Sequence, residues 1–329
     1  VAELAESIAP TPLEAGETEI TLTLGGDVVL GTREAWQTAD DALPALLDSK
    51  GMSYPFEALA PLFQSDDMTL VNLECVLKED DYGMDKQKDY VFRGQPSYTQ
   101  VLTAAGIEQV NIANNHYIDY QKAGQKSTRA ALEAGGIAYS GYGYTYVADI
   151  GGHKIGFAGC RETVWLESKA TIKKDIKALR AAGCEVVVYN CHWGQEYSAT
   201  HNARQEKMAQ YAVDAGADLV VGTHPHVVQG LTVMDGVPVL YSLGNLMFGG
   251  THELVTADAT LCRARLRFGA KGYEGVSIEF LPVLISGSTA ANDFHPTLAG
   301  GEDAVRIIEK IQTDSPIRLR DVMYFPTAK

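Results

Sequence analysis

The chain reads as an α/β protein, on three observations. Short β-branched runs alternate with segments of helical period along most of its length. At least one run, Glu185 to Tyr189, is apolar throughout, the pattern of a strand covered on both faces. The strand runs also end in polar residues, at the place where α/β proteins keep their sites. A length of 329 residues holds one large domain of this kind or two smaller ones.

Composition narrows the function. The apolar fraction of 46% and charged fraction of 21% are those of an ordinary globular protein, and no apolar run approaches the roughly 20 residues that span a bilayer. A formal net charge of −15 repels polyanions, which excludes a general nucleic-acid binder and means that local cations must hold any anionic ligand. The five cysteines, Cys75, Cys160, Cys184, Cys191 and Cys262, show no CxxC and mostly sit in apolar runs, so they read as buried free thiols.

In chain order, Val1 to Glu19 is rich in Ala, Glu, Pro and Thr and reads as a tether, 1–19, before a domain over 20–315 and a tail over 316–329. A start at Val1 suits a processed leader, hence an exported protein anchored through a missing N-terminal segment; a trimmed cytoplasmic chain is the alternative. Ile20 to Leu24 is a strand that runs into Gly25-Gly26-Asp27, and Met68 to Leu73 is a second, ending at Glu74. Pro55 to Gln64 and Pro96 to about Ala105 have helical spacing, and Lys78 to Lys88 is a charged surface loop. Arg93 follows as a candidate anion contact. Val110 to Ala113 delivers Asn114, Asn115, His116 and Asp119 into a loop before a helix from Gln121 to Ala134.

Gly141-Tyr142-Gly143 opens no helix and reads as a turn, not a dinucleotide site. A hairpin pairs Tyr146–Ile150 with Lys154–Ala158, and Ala170–Ala182 and Asn202–Ala215 are helices. The run from Glu185 ends in His192 and Glu196, and Asp218–Val221 ends in Gly222-Thr223-His224-Pro225-His226. Ala259–Phe268 and Gly275–Ile285 have no helix between them and read as an antiparallel edge or second sheet, before a loop over Ser286–Gly301 and a closing helix over Glu302–Gln312.

The strand ends thus supply Asp27, Glu74, Asn115, His116, His192, His224 and His226. A lone histidine at a strand end is usually a hydrogen-bonded core residue, but five strand ends sharing this selection point to one site. Carboxylate, amide and imidazole without thiolate suit one or two divalent ions such as Mn, Fe or Zn. Two ions roughly 3.5–4 Å apart can clamp an activated water and a leaving oxygen. His153, His201, His252 and His295 lack this context and read as surface residues.

The motifs Asn72-Leu73-Glu74, Ala113-Asn114-Asn115-His116-Tyr117-Ile118-Asp119, His192-Trp193-Gly194-Gln195-Glu196-Tyr197, Gly222-Thr223-His224-Pro225-His226 and Tyr241-Ser242-Leu243-Gly244-Asn245 resemble the CapA family of capsule, or poly-γ-glutamate, synthesis proteins. The resemblance implies a branch of the calcineurin-like metallophosphatases, a four-layer α-β-β-α sandwich and a bacterial protein held outside the membrane. By the same resemblance Asp27 and His226 hold a first metal, Glu74 bridges, Asn115, His192 and His224 hold a second, and His116 is catalytic, as the general acid or as the group that polarises the scissile bond. Asp119, Glu196 and Asn245 are then supporting partners that orient the ligands. One departure stands out: where the phosphoesterases carry Asp-x-His, this chain has Asp27-Val28-Val29.

The implied activity is hydrolysis or transfer at a phosphoester or γ-glutamyl bond. The alternative is a non-catalytic, polymer-binding or export component of a membrane-bound capsule machine. An anionic polymer or small phosphorylated substrate in so acidic a chain calls for a basic strip, for which Arg93, Arg161, Arg318 and Arg320 are the candidates.

Overall fold

A computed structural model describes residues 5–6, 9–288 and 291–327. Its first long strand, β1 (Thr18–Val29), forms from an alternating Ile-Thr-Leu-Thr-Leu run that turns Ile20, Leu22 and Leu24 to one face. Four parallel strands then stand side by side as β1, β2 (Met68–Leu73), β3 (Gln109–Asn111) and β4 (Ala138–Ser140). Helices α1 (Leu43–Lys50), α2 (Thr99–Ala105) and α3 (Gln121–Gly135) join them.

A second sheet begins with the hairpin of β5 (Tyr146–Ile150) and β6 (His153–Arg161), turned by Gly151 and Gly152 at φ 60° and 87°. After α4 (Ala170–Ala181), β7 (Val186–His192) pairs parallel with β6. Helix α5 (Ala203–Ala215) starts at Asn202, whose side chain and that of Gln205 cap each other's backbone, and leads to β8 (Leu219–Thr223), parallel to β7. β9 (Leu231–Met234) and β10 (Val237–Leu240) complete this sheet, and β11 (Asn245–Phe248) crosses back to lie parallel to the end of β1.

The late strands β12 (Asp258–Gly269) and β13 (Gly272–Leu284) are antiparallel, as expected, but they extend the first sheet, since β12 pairs with residues 18–24 of β1. Among the described residues the first sheet has nine strands and the second six. Leu22, Leu24 and Leu70 of the first sheet share one core with Phe157, Val188 and Val221 of the second, so the sheets pack face to face. The other face of the first sheet, through Val71 and Val110, packs on Phe63, Leu102 and Leu132. The other face of the second, through Val187 and Val220, packs on Ile172, Ile176 and Met208. No helix of the described residues is long and apolar enough to cross a membrane.

Several boundaries differ from the sequence reading. Pro55–Gln64 is a 3₁₀ turn over Tyr54–Phe56 and a single helical turn over Ala60–Phe63, because Pro61 has no N–H to continue a helix and fits only its first turn. The span read as a tether already contains the start of β1 at Thr18; Ala5–Glu6 pairs with Ile317–Arg318, and Arg267 bonds the Thr11 hydroxyl and carbonyl. Residues 1–4 and 7–8 of that span lie outside the described residues. The span read as a tail carries β14 (Met323–Pro326), which pairs with β13 and buries Met323 and Phe325. All five cysteines are buried free thiols.

Candidate metal centre

The carboxyl ends of β1, β2 and β3 meet those of β7 and β8 across the join of the two sheets. Backbone crowding sets the first residue: a Cβ on Gly26 would stand 1.9 Å from the Gly244 carbonyl, so only glycine lets Asp27 N–H bond that oxygen at 3.0 Å. Asp27 is then held on both oxygens. Asn72 Nδ2 donates to Oδ1 at 2.7 Å, and His224 N–H donates to Oδ2 at 3.0 Å.

Glu74 stands next to it on β2, fully buried, and neither of its oxygens has a hydrogen-bond partner among the described residues. His192 Nε2 lies 3.3 Å from Oε1 and 2.6 Å from Asn115 Oδ1, while His192 Nδ1 lies 3.0 Å from Thr223 Oγ1. His226 Nδ1 lies 2.9 Å from Asn245 Oδ1, 3.4 Å from Asp27 and 3.9 Å from Glu74. The buried Nδ1 of His224 has no hydrogen-bond partner among the described residues, and its ring centre is 4.4 Å from that of His192. His224 and His226 sit at φ 97° and 59°, a strained backbone for non-glycine residues, on a turn that presents both rings to Glu74. Ligand atoms of Glu74, His224 and His226 all fall within 4.8 Å of one another.

The electrostatics match this crowding. Burial, then the Asp27 charge, push the Glu74 carboxyl well above the usual range. Burial opposes charge on His226, but Glu74 and Asp27 outweigh it and lift that imidazole to about 10. Burial, then the charge on His226, lower His224 to about 4, and burial takes His192 well down. Without a cation both Glu74 and His226 favour a proton, while His192 and His224 stay neutral, the form in which imidazole binds metal.

His116 stands apart from this group. Its Nδ1 bonds Asp119 Oδ2 at 2.7 Å, and its ring packs 4.4 Å from Phe92, which leaves the Nε2 edge for the cleft it lines. Asp119 also accepts from Phe92 N–H at 2.9 Å and from Lys88, whose ammonium bonds the Asn115 carbonyl as well at 2.7 Å. Asn245 reaches His226, whereas Glu196 is exposed at the cleft.

Other residues fall elsewhere than expected. Arg93 is 7% exposed, and its guanidinium is bidentate on Glu34 at 2.5 and 2.9 Å with further bonds to the Lys78 and Glu79 carbonyls, so its donors are spent inside the protein as a strut. Arg161, at the end of β6, bonds Tyr142 and lines a neighbouring hollow; its charge is felt at His192 and His224. Arg318 lies on the short pairing with Ala5–Glu6, so Arg93, Arg161 and Arg318 form no continuous strip. The histidines read as surface are packed: His201 stacks 3.7 Å from Tyr241 and bonds Asp314, and His153 stacks 3.9 Å from Phe268 and bonds Glu185.

Sequence reading missed Asn72, Asn111, Thr223, Lys88 and Arg33. Asn111 Nδ2 donates to Asn72 Oδ1 at 2.8 Å, so an amide chain runs along the strand ends to Asp27. Amides at matched places in β2 and β3, two or three residues before the polar residues Glu74 and Asn114, were the available signal.

Fold and site together define a mixed α/β protein with a buried carboxylate–imidazole cluster at the join of two sheets. The sequence profile described as bacterial capsule synthesis protein PGA_cap matches residues 21–250, and the chain belongs to that family. Among curated relatives, the capsule biosynthesis protein CapA of Bacillus anthracis is 29% identical over 80% of this chain and 67% of its own length. The PGA biosynthesis protein CapA of Bacillus subtilis is 28% identical over 74% and 68%. A probable polyglutamine synthesis accessory protein of Mycobacterium tuberculosis, Rv0574c, is 25% identical over 81% and 85%.

Proposed function

We propose that this protein is a divalent-metal-dependent hydrolase of capsule or poly-γ-glutamate metabolism, acting on a γ-glutamyl or phosphoester bond at the outer face of the cell. The observation that carries the reading is Glu74: a buried carboxylate whose two oxygens have no hydrogen-bond partner among the described residues, faced by the Nδ1 of His224, equally unpartnered among them, and by His226. Leaving such groups unpaired costs about 1–3 kcal/mol each or more, a cost that a cation removes. The oxygen and nitrogen donors fit Mn, Fe or Zn. Asp27, Glu74 and His226 would hold one ion, and Glu74, Asn115, His192 and His224 a second.

A bound cation supplies Lewis acidity toward a substrate oxygen and lowers the pKa of a water. The chain supplies the rest. Thr223 and Asn245 fix the rings of His192 and His226 through their Nδ1 atoms. Asn72 and the His224 N–H orient Asp27. His116, set by Asp119, offers Nε2 as the proton donor to the leaving group. The face-to-face sheets with helices outside fit the four-layer metallophosphatase-type sandwich.

A second reading, a non-catalytic component of a polymer-export machine that keeps the fold, is favoured by Val29: at the place of the missing imidazole it is fully buried in apolar core. Metal content of protein purified without chelators separates the two. About two equivalents, each reduced by one of His224→Ala and His226→Ala, together with turnover of p-nitrophenyl phosphate or γ-glutamyl p-nitroanilide, is the expected result. Near-zero metal, unrestored by Mn or Zn, overturns the hydrolase.

A further inference from the structure

The cluster opens into a cleft of about 400 Å³ lined by His116 and His226, by Tyr90 and Tyr197, and by Arg33, the one arginine or lysine among the described residues around it. Arg33 precedes Glu34 in sequence, yet Glu34 is engaged by Arg93 and by the Tyr120 hydroxyl at 2.5 Å. Among the described residues no carboxylate comes within salt-bridge distance of Arg33, and its buried Nε has no acceptor. Its guanidinium lies over the rings of Trp36 at 4.7 Å and Tyr90 at 4.3 Å. Stacking of this kind fixes the plane of the fork and strips water from its faces, while leaving its edge donors for an anion in the same plane.

We infer that Arg33 is the anion subsite of this cleft and holds a planar carboxylate of the substrate beside the bond acted on. The inference rests on the metal-dependent reading for its position next to a reacting bond. A planar carboxylate meets a guanidinium edge through two parallel hydrogen bonds. A γ-linked glutamyl chain carries one such carboxylate on every residue, so seating one on Arg33 would set the register of the chain over the cluster. Glu196 and Glu253, exposed on the same cleft, repel anions elsewhere around it and narrow binding to this one cation.

The test is equilibrium binding by calorimetry, which needs no turnover. The probes are a γ-linked glutamyl pentapeptide, the same peptide with its α-carboxylates converted to carboxamides, and inorganic phosphate, each with Mn-loaded protein. Arg33→Met is expected to weaken the carboxylate peptide about 10- to 100-fold and leave the carboxamide peptide unchanged. Arg33→Lys should restore only part of the loss, because a point charge does not reproduce the fork. Equal weakening of both peptides, no change in either, or no binding of the carboxylate peptide by the parent protein overturns the subsite. Phosphate binding that depends on Arg33 while peptide binding does not would assign the anion as phosphate and overturn the carboxylate. If the Arg33 dependence holds but no loaded protein turns over any substrate, the hydrolase fails and the subsite stands.

Discussion

Glu74, directly after β2, and Asp119, in the loop between β3 and α3, are both fully buried carboxylates, and their surroundings are opposite. Asp119 is satisfied from within by His116, the Phe92 N–H and Lys88, whereas Glu74 has no hydrogen bond at all among the described residues. The difference separates two kinds of polar site. Around Asp119 the chain has built its own solvation, so the orientation of His116 is set before any ligand arrives. Around Glu74 it has collected donors of the same kind and left them facing one another, an arrangement that becomes favourable when a cation enters.

The largest effect that could break this division is that of His116→Ala. If His116 moves a proton and binds no metal, kcat falls about 10²- to 10⁴-fold while metal content stays at the parent value. Kinetics and metal analysis on one preparation decide it; a parallel loss of metal would make His116 a ligand and merge the two regions. Next comes Glu74→Gln. Free Mn at about 100 times its dissociation constant should stabilise the parent by about 2.7 kcal/mol in chemical unfolding, and the variant by less than half of that. Equal stabilisation of both would show that Glu74 takes no part in binding.

A third carboxylate sharpens the comparison away from the cluster. Asp175 is buried under the outer face of the second sheet and, among the described residues, accepts a bond from the Tyr189 hydroxyl at 3.2 Å. Burial raises its carboxyl to about 6. A folded-state value above the unfolded one means that the folded protein binds the proton more tightly. Stability therefore falls as pH rises from about 4 to about 6 and stays lower beyond. Asp175→Asn keeps an acceptor for Tyr189 and removes the charge. It should raise unfolding free energy by about 2 kcal/mol at pH 8 and by little at pH 4. A gain that is the same at both values would place the effect in packing.

The ends of the apolar runs were legible in the sequence because a strand that leaves the core must change character there: Asp27, Glu74, Asn115, His192, His224 and His226 all stand at such changes, and all converge. What lies inside the runs was not legible. Asn72 and Asn111 look like interruptions of a strand until their partners, 45 and 39 residues away, are known. The two arginines failed for the same reason. Arg93 is consumed by Glu34, 59 residues upstream, and Arg33 is left to the cleft because that carboxylate is already taken. In the fold, the parallel strands follow from local alternation with helices, but the attachment of β12 to the first half of β1 is a pairing across more than 200 residues and has no local signature.

Lys88 gives the smallest effect and the finest cut. It comes from the charged segment read as a surface loop, and its ammonium bonds both the Asn115 carbonyl at 2.7 Å and the Asp119 carboxylate. It thus ties the loop to the backbone that carries the Asn115 amide and to the carboxylate that sets His116. Lys88→Met keeps the apolar stem and removes these bonds. Asp119 retains His116 and the Phe92 N–H, so the imidazole stays in place but its support loosens. The expected result is a fall in kcat of about 10-fold, with metal content unchanged and a stability loss near 1 kcal/mol, since Lys88 is partly exposed. A fall as large as that of His116→Ala would mean that the satisfied region depends on a loop contact and is not preset. No change in kcat would confine the orientation of His116 to Asp119 and Phe92 alone.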